Sequence, residues 1–236
     1  MLKCKYVVTN CTDPYQNLAT EQFLMKSVIE GSFILFLWQN ENTVVIGRNQ
    51  DPYTECLVDE LLATGGRLAR RRSGGGAVYH DLGNLNFSIL THKKERKIVS
   101  YQWLIGTALE QLRIDIEYNG RNDLICKGRK FSGNAFYEDE NICCQHGTIL
   151  VSSNIQRMSG LLTPEKGKLD RNHVSSVCSR VMNLCELSSD ITVESVREVL
   201  LTACGGSLLE YDQNNNEIES LIDFYKSEEW IYGGVR

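Results

Sequence analysis

The residues best suited to chemistry lie in one run, Arg70-Arg71-Arg72-Ser73-Gly74-Gly75-Gly76-Ala77-Val78-Tyr79-His80-Asp81-Leu82-Gly83-Asn84. Three consecutive glycines open backbone torsions closed to other residues and let a ligand approach the peptide groups with no Cβ in the way. Beside three arginines, such a loop is a candidate anion cradle in which backbone N–H groups and guanidinium forks hold phosphate oxygens. The spacing matches neither G-x-x-x-x-G-K-[ST] nor G-x-G-x-x-G, so neither a P-loop kinase nor a Rossmann dehydrogenase is supported. Taken alone, the glycines read equally well as a flexible turn and the arginines as a solvated face.

Two further constellations lie downstream. In Arg121-Asn122-Asp123-Leu124-Ile125-Cys126-Lys127-Gly128-Arg129-Lys130-Phe131-Ser132-Gly133-Asn134-Ala135, the Lys127-Gly128-Arg129 step is turn-like, and Lys130 opens a strand that would carry its ammonium into a site. In His146-Gly147-Thr148-Ile149-Leu150 a histidine and a small residue open an apolar strand. Each has a plainer alternative: a lysine at a strand start is usually solvated, and a lone histidine more often satisfies a local hydrogen bond than does catalysis.

The elements that must position these groups are legible in outline. Asp13-Pro14 is a candidate N-cap followed by proline at the first helical position, with Gln16 placed to reach back in a capping box. A helix is predicted over 14–30, with Leu18, Leu24, Met25 and Val28 as its buried stripe and Gly31 as its stop. Phe33-Ile34-Leu35-Phe36-Leu37-Trp38 and Thr43-Val44-Val45-Ile46 read as neighbouring antiparallel strands. Residues 52–63, 101–112, 193–203 and 217–225 read as helices, and 77–80, 86–90, 114–118, 124–126, 131–137 and 144–151 as strands. This order predicts an α+β fold with a mixed or mainly antiparallel sheet.

A chain of 236 residues with 42% hydrophobic and 23% charged residues is expected to form one domain around a sizeable core. Its formal net charge of −5 argues against a general nucleic-acid binder. No apolar run reads as a secretory leader or a bilayer span, and the odd count of nine cysteines reads as reduced core thiols. A cytoplasmic protein with no membrane partner is therefore expected.

Taken in succession, residues 70–88, 121–136 and 146–151, followed by Lys168-Leu169-Asp170 and Ser175-Ser176-Val177-Cys178-Ser179-Arg180-Val181-Met182-Asn183-Leu184, resemble the lipoate–protein ligase A family. The similarity runs from Asn17 to Glu229-Trp230-Ile231-Tyr232-Gly233. It implies the catalytic fold shared with biotin ligases, a central sheet flanked by helices, with a bent tunnel for lipoyl-AMP. It implies that Lys130 contacts both the acyl carboxyl and the α-phosphate as the catalytic cation, and that Arg71, Gly76, Ala77, Val78 and Tyr79 line the nucleotide site. Ser73, Gly74, Gly75, His80, His146 and Gly147 would join Lys130 around lipoate, with Val44, Ile46, Val78 and Ile149 as the expected wall for its chain.

Asp123 is the candidate ligand for magnesium arriving with ATP. Lipoate or octanoate is the implied acid. The implied acceptor is a lysine of a 2-oxoacid dehydrogenase lipoyl domain or of the glycine-cleavage H protein, and a local basic surface at Arg70 and Arg72 would meet it. Residues 1–236 would form a single catalytic domain; longer members continue past the W-x-Y-G-like segment into a small C-terminal domain, so that here an accessory subunit would take its part, or the chain would adenylate without it, or would perform transfer alone. Two other readings stay open: a lipoyl or octanoyl transferase using a cysteine thioester, with Cys178 as the cysteine inside a matched motif, and a non-catalytic lipoate- or acceptor-binding protein.

Overall fold

The structure, a computed structural model, describes residues 2–119, 122–163 and 180–233. In chain order it runs β1 (Lys3–Val8), α1 (Pro14–Met25), β2 (Ser32–Trp38), β3 (Thr43–Ile46), α2 (Pro52–Glu55), α3 (Val58–Ala63), β4 (Arg67–Arg70), β5 (Val78–His80) and β6 (Asn84–His92). There follow α4 (Tyr101–Glu110), β7 (Glu117–Asn119), β8 (Asp123–Cys126), β9 (Arg129–Asp139), β10 (Ile142–Leu150), α5 (Ile155–Leu161), α6 (Val193–Cys204), β11 (Ser207–Leu208), α7 (Asn216–Lys226) and α8 (Glu228–Tyr232). Eight strands form one mixed sheet in the order β11-β1-β2-β6-β10-β9-β8-β7, and β4-β3-β5 form a second. The α+β expectation with a mixed, helix-flanked sheet holds.

Helix α1 starts as its sequence dictates. Asp13 Oδ1 accepts from the N–H groups of Tyr15 and Gln16, and Pro14 takes the first turn, where its missing donor costs nothing. Gln16 does not close a capping box; its Oε1 accepts from Cys11 Sγ instead. The helix also ends at Met25 rather than near residue 30, because Ser27 and Val28 tighten onto the carbonyls of Leu24 and Met25 before Gly31, at φ +85°, redirects the chain.

The two hydrophobic runs predicted to pair with each other do not. β2 lies between β1, parallel to it, and β6, antiparallel, whereas β3 belongs to the second sheet between β4 and β5. The connector explains the separation. Asn17 Nδ2 pins the Gln39 carbonyl and Asn40 Oδ1, and Asn42 at φ +41° turns the chain out of the first sheet.

Three cores follow. One face of the large sheet, with Leu37, Leu85, Phe87 and Ile149, packs on α4 and α6 through Leu104, Ile105, Val196 and Leu200. The other face, with Ile34, Phe36 and Leu90, packs on α1 and α7. Val44, Ile46, Leu68 and Tyr79 of the small sheet pack with Leu61, Leu161 and Ile231. The expectation of uniformly reduced thiols is corrected at one pair: Cys4 and Cys204 form a disulfide, bringing the start of β1 against the end of α6. No helix among the described residues is long and apolar enough to cross a membrane.

Candidate active site

Sheet register decides which side chains meet. Trp38 of β2 stands opposite Asn86 of β6, which stands opposite Thr148 of β10, and Thr148 Oγ1 accepts from Gly133 N of β9 at 3.3 Å. One step along, Ser88 stands opposite His146, which stands opposite Ala135. These rows share a face, since side chains alternate along a strand, and they floor a cavity of about 480 Å³. Its remaining wall comes from Leu18 of α1, Val45 and Val78 of the small sheet, and the glycine-rich loop. From β2 to β9 is three strand spacings, about 14 Å.

Lys130 occupies the β9 end. Lys127 and Gly128, at φ +50° and +73°, form a tight two-residue hairpin turn between β8 and β9. Immediately beyond it the pairing slips, Ile125 facing Lys130 but Leu124 facing Ser132. That bulge sends Phe131 into the core and Lys130 into the cavity wall. Lys130 Nζ pairs with Asp123 Oδ1 at 2.8 Å. Gly133 keeps the space open, because a Cβ there would lie 2.9 Å from Nζ.

The arginine run divides into three jobs. Arg70 has no exposed surface; its guanidinium donates to the carbonyls of Gly47, Arg48, Gln50, Trp230 and Ile231, clamping the turn after β3 to α8. It therefore cannot contribute to the basic docking surface expected of it. Arg71 Nε donates to Ser73 Oγ, Nη1 to the Val45 carbonyl, and Nη2 to those of Gly74 and Gly76. Burial pushes its pKa down to about 10, partly offset by Glu21, so it stays cationic at neutral pH. Its hydrogen bonds thus shape the loop rather than reach for a ligand. Among the described residues, the N–H groups of 74–77 donate to no other backbone group, and Gly75, at φ +89°, makes the turn that frees them. Arg72 stacks over the Phe224 ring, 5.6 Å from its centroid.

Behind the loop a buried chain continues. Ser73 Oγ lies 2.7 Å from His146 Nε2, His146 Nδ1 lies 2.8 Å from Glu21 Oε2, and Glu21 also accepts from Ser88, which accepts from Trp38 Nε1. Burial raises the Glu21 carboxyl, but the charge and hydrogen bond of His146 and the Ser88 hydroxyl outweigh it and hold Glu21 below the ordinary carboxylate range.

Of the residues singled out from sequence, Arg71, Gly75, Gly76, Ala77, Val78, His80, Asp123, Lys130, His146 and Gly147 line the cavity. Ser73 and Gly74 support it from behind as partners of Arg71. The Tyr79 ring turns into the small-sheet core, its hydroxyl donating to Asn42 Oδ1. Val44, Ile46 and Ile149, expected as acyl wall, face away: each is one step out of phase with a lining residue, Val45 or Thr148. Residues 168–170 and Cys178 lie outside the described residues. Sequence reasoning missed Glu21, Trp38, Asn86 and Thr148; the available signal for Glu21 was a carboxylate in the stripe of a helix that is buried there.

Comparison with known proteins agrees with this geometry. The lipoyl protein ligase A/B catalytic domain family matches residues 13–205. A lipoate-protein ligase A of Psychrobacter cryohalolentis is 41% identical over 86% of the chain, and one of Bdellovibrio bacteriovorus is 36% identical over the whole chain. The chain spans 60% of the first relative's length and 74% of the second's. Among solved structures, one from an archaeal lipoylation system, comprising a bipartite lipoate protein ligase and its E2 lipoyl domain from Thermoplasma acidophilum, superposes with a TM-score of 0.84 at 25% identity, covering 100% of this chain and 98% of that one. A Plasmodium falciparum protein in complex with lipoate gives 0.82 at 28%, covering 98% and 74%. A lipoate-protein ligase A bound with ATP gives 0.79 at 25%, covering 99% of each. The chain belongs to the lipoyl protein ligase A/B catalytic domain family.

Proposed function

We propose that the chain is an ATP-dependent lipoate–protein ligase that activates lipoate, or octanoate, as its adenylate and passes the acyl group to a lysine of a lipoyl domain or H protein. The observation that carries this reading is one cavity lined by Lys130, by Gly75, Gly76 and Ala77 of the glycine-rich loop, and by an apolar wall of Leu18, Trp38 and Val45. In the first step a carboxylate oxygen attacks the α-phosphorus of ATP, and pyrophosphate leaves with the cleaved P–O pair. Lys130 lowers the repulsion between the two anions and stabilises the charge that develops, while the loop positions the nucleotide. In the second step the acceptor's neutral amine forms the C–N bond, the C–O bond to AMP breaks with its electron pair leaving on AMP, the proton lost from the nitrogen passes to solvent, and Lys130 polarises the carbonyl.

Magnesium enters as part of the ATP substrate. Asp123 is the one carboxylate among the described residues that line the cavity, and its Oδ1 already pairs with Lys130 Nζ, so magnesium would be held chiefly by phosphate and water oxygens, with Asp123 Oδ2 left to accept from one of those waters. Among the described residues no cysteine lines the cavity, and burial pushes the Cys56, Cys126, Cys143 and Cys144 thiols up, so none of these serves a thioester transferase; Cys178, on which that reading rests, lies outside them. The likeness to the lipoate-bound and ATP-bound structures, and to the archaeal ligase with its lipoyl domain, supports these substrates and this class of acceptor.

The test is lipoate-dependent exchange of labelled pyrophosphate into ATP. The expected outcome is exchange by the wild type and its loss, by at least about a hundredfold, in Lys130→Ala. Failure of exchange with intact transfer from supplied lipoyl-AMP would give this chain the transfer step and an accessory polypeptide a share in adenylation. Failure of both would overturn the proposal.

A further inference from the structure

Two hydrogen-bonded chains end on one buried carboxylate. Glu21 of α1 is 2% exposed and held below the ordinary carboxylate range, so both of its oxygens can only accept. His146 Nδ1, 2.8 Å from Oε2 and 3.1 Å from Oε1, therefore carries a hydrogen. With that hydrogen placed, one tautomer satisfies every partner: Nε2 accepts from the Ser73 hydroxyl at 2.7 Å, and Ser73 Oγ accepts from Arg71 Nε at 3.0 Å. The donors thus point one way, from Arg71 through Ser73 and His146 to Glu21. A second chain runs from Trp38 Nε1 through the Ser88 hydroxyl to the same carboxylate.

The far end of the first chain is the glycine-rich loop. Arg71 is 6% exposed, and its Nη2 holds the carbonyls of Gly74 and Gly76, on either side of Gly75 at φ +89°. Glu21 carries a charge that offsets the buried guanidinium, and the chain carries the geometry, since a fixed Ser73 acceptor fixes the plane of the Arg71 fork. Gly75, Gly76 and Ala77 line the cavity, whereas Glu21, Ser73 and Ser88 do not. No ligand atom has to reach the carboxylate for it to act. We propose that Glu21 is a positioning residue for the nucleotide: through His146, Ser73 and Arg71 it sets the shape in which the glycine-rich loop receives ATP. The inference rests on the lipoate-ligase reading above and assigns the conformation of its nucleotide loop to a side chain of α1.

The test is calorimetric titration of the whole chain with magnesium–ATP. Glu21→Leu is expected to bind it about tenfold more weakly than wild type, and Glu21→Gln, whose amide oxygen can still accept from His146, should recover part of the loss. Ser73→Ala cuts the same chain in the middle. Ser73 and Glu21 bond to different nitrogens of the His146 ring, so the double variant Glu21→Leu/Ser73→Ala should bind no more weakly than the weaker single one. Ser88→Ala, which severs the Trp38 chain at the same carboxylate, should leave ATP affinity within about twofold of wild type. Losses that multiply in the double variant, or a Ser88→Ala loss as large as that of Glu21→Leu, would mark a general loosening of the buried centre and overturn the inference. Unchanged affinity in Glu21→Leu would overturn it too, with the ligase reading intact. A wild-type chain that binds no ATP would overturn the ligase reading itself and the inference with it. If Glu21→Leu does not fold, the same comparison is made with Glu21→Gln, where the expected loss is about threefold and the same outcomes decide.

Discussion

His80 lines the cavity, Glu21 lies behind it as the partner of His146, and both respond to acid, in different pH windows. The His80 pKa is depressed in the folded protein to about 3 from an ordinary 6.5, so the unfolded chain binds a proton that the folded one refuses. Stability from this group is complete above 6.5 and declines as pH falls towards 3. The expected loss is about 2 kcal/mol by about pH 5. Glu21 is also depressed, from 4.5, so its contribution is lost only below that value, as pH falls through its folded pKa. Urea unfolding at a series of pH values should therefore show a decline in wild type between about pH 6.5 and 5 that is absent from His80→Phe. Parallel curves for the two proteins would show that His80 does not govern that window. Neither residue could be given this weight from sequence, because a burial-driven shift depends on which strands stack over the side chain. The three arginines teach the same lesson: one run of like residues holds a buried clamp, a loop organiser and a ring-stacked cation.

At the scale of elements, periodicity revealed most strands and helices but not their partners. The runs at β2 and β3 were readable as strands from their branched and aromatic residues, and their separation into two sheets follows from the buried contacts of Asn17 and Asn40, which no local pattern encodes. β4 escaped notice because Arg67-Leu68-Ala69-Arg70 lacks β-formers and is held by pairing to β3. The phase of the cavity wall was misread by one residue for the same reason: alternation tells which residues share a face, and only the fold tells which face is covered. The β9 bulge with Gly133 is an element-level device whose effect is testable. Gly133→Ala places a methyl 2.9 Å from Lys130 Nζ and 3.0 Å from its Cε, so the flexible end of the lysine must move. The thermal midpoint should change little, while the rate of lipoate-dependent pyrophosphate exchange should fall about ten- to a hundredfold, the cost of displacing a catalytic group by about 1 Å. A variant exchanging at the wild-type rate would mean that Lys130 acts from another position than the one seen here.

Across the whole molecule, the two faces of the large sheet have separate duties. One carries the cavity, with Asn86, His146 and Thr148; the other is the apolar core closed by α4 and α6, and it holds the disulfide between Cys4 and Cys204. The bond joins residues 200 positions apart, so nearly the whole chain lies within the loop it closes. Such a closure restricts the unfolded ensemble and is worth about 2–4 kcal/mol. Reduction should thus lower the urea midpoint by that amount of stability and leave pyrophosphate exchange unchanged at temperatures where the reduced protein stays folded, because neither sulfur touches the cavity. The control is Cys4→Ala/Cys204→Ala, whose midpoint should sit near that of the reduced wild type and be insensitive to reductant. Coincident midpoints for oxidised and reduced wild type would remove the staple from the account of stability. A parallel loss of exchange would instead couple the two faces through β6 and β10, the strands whose side chains alternate between disulfide core and cavity floor.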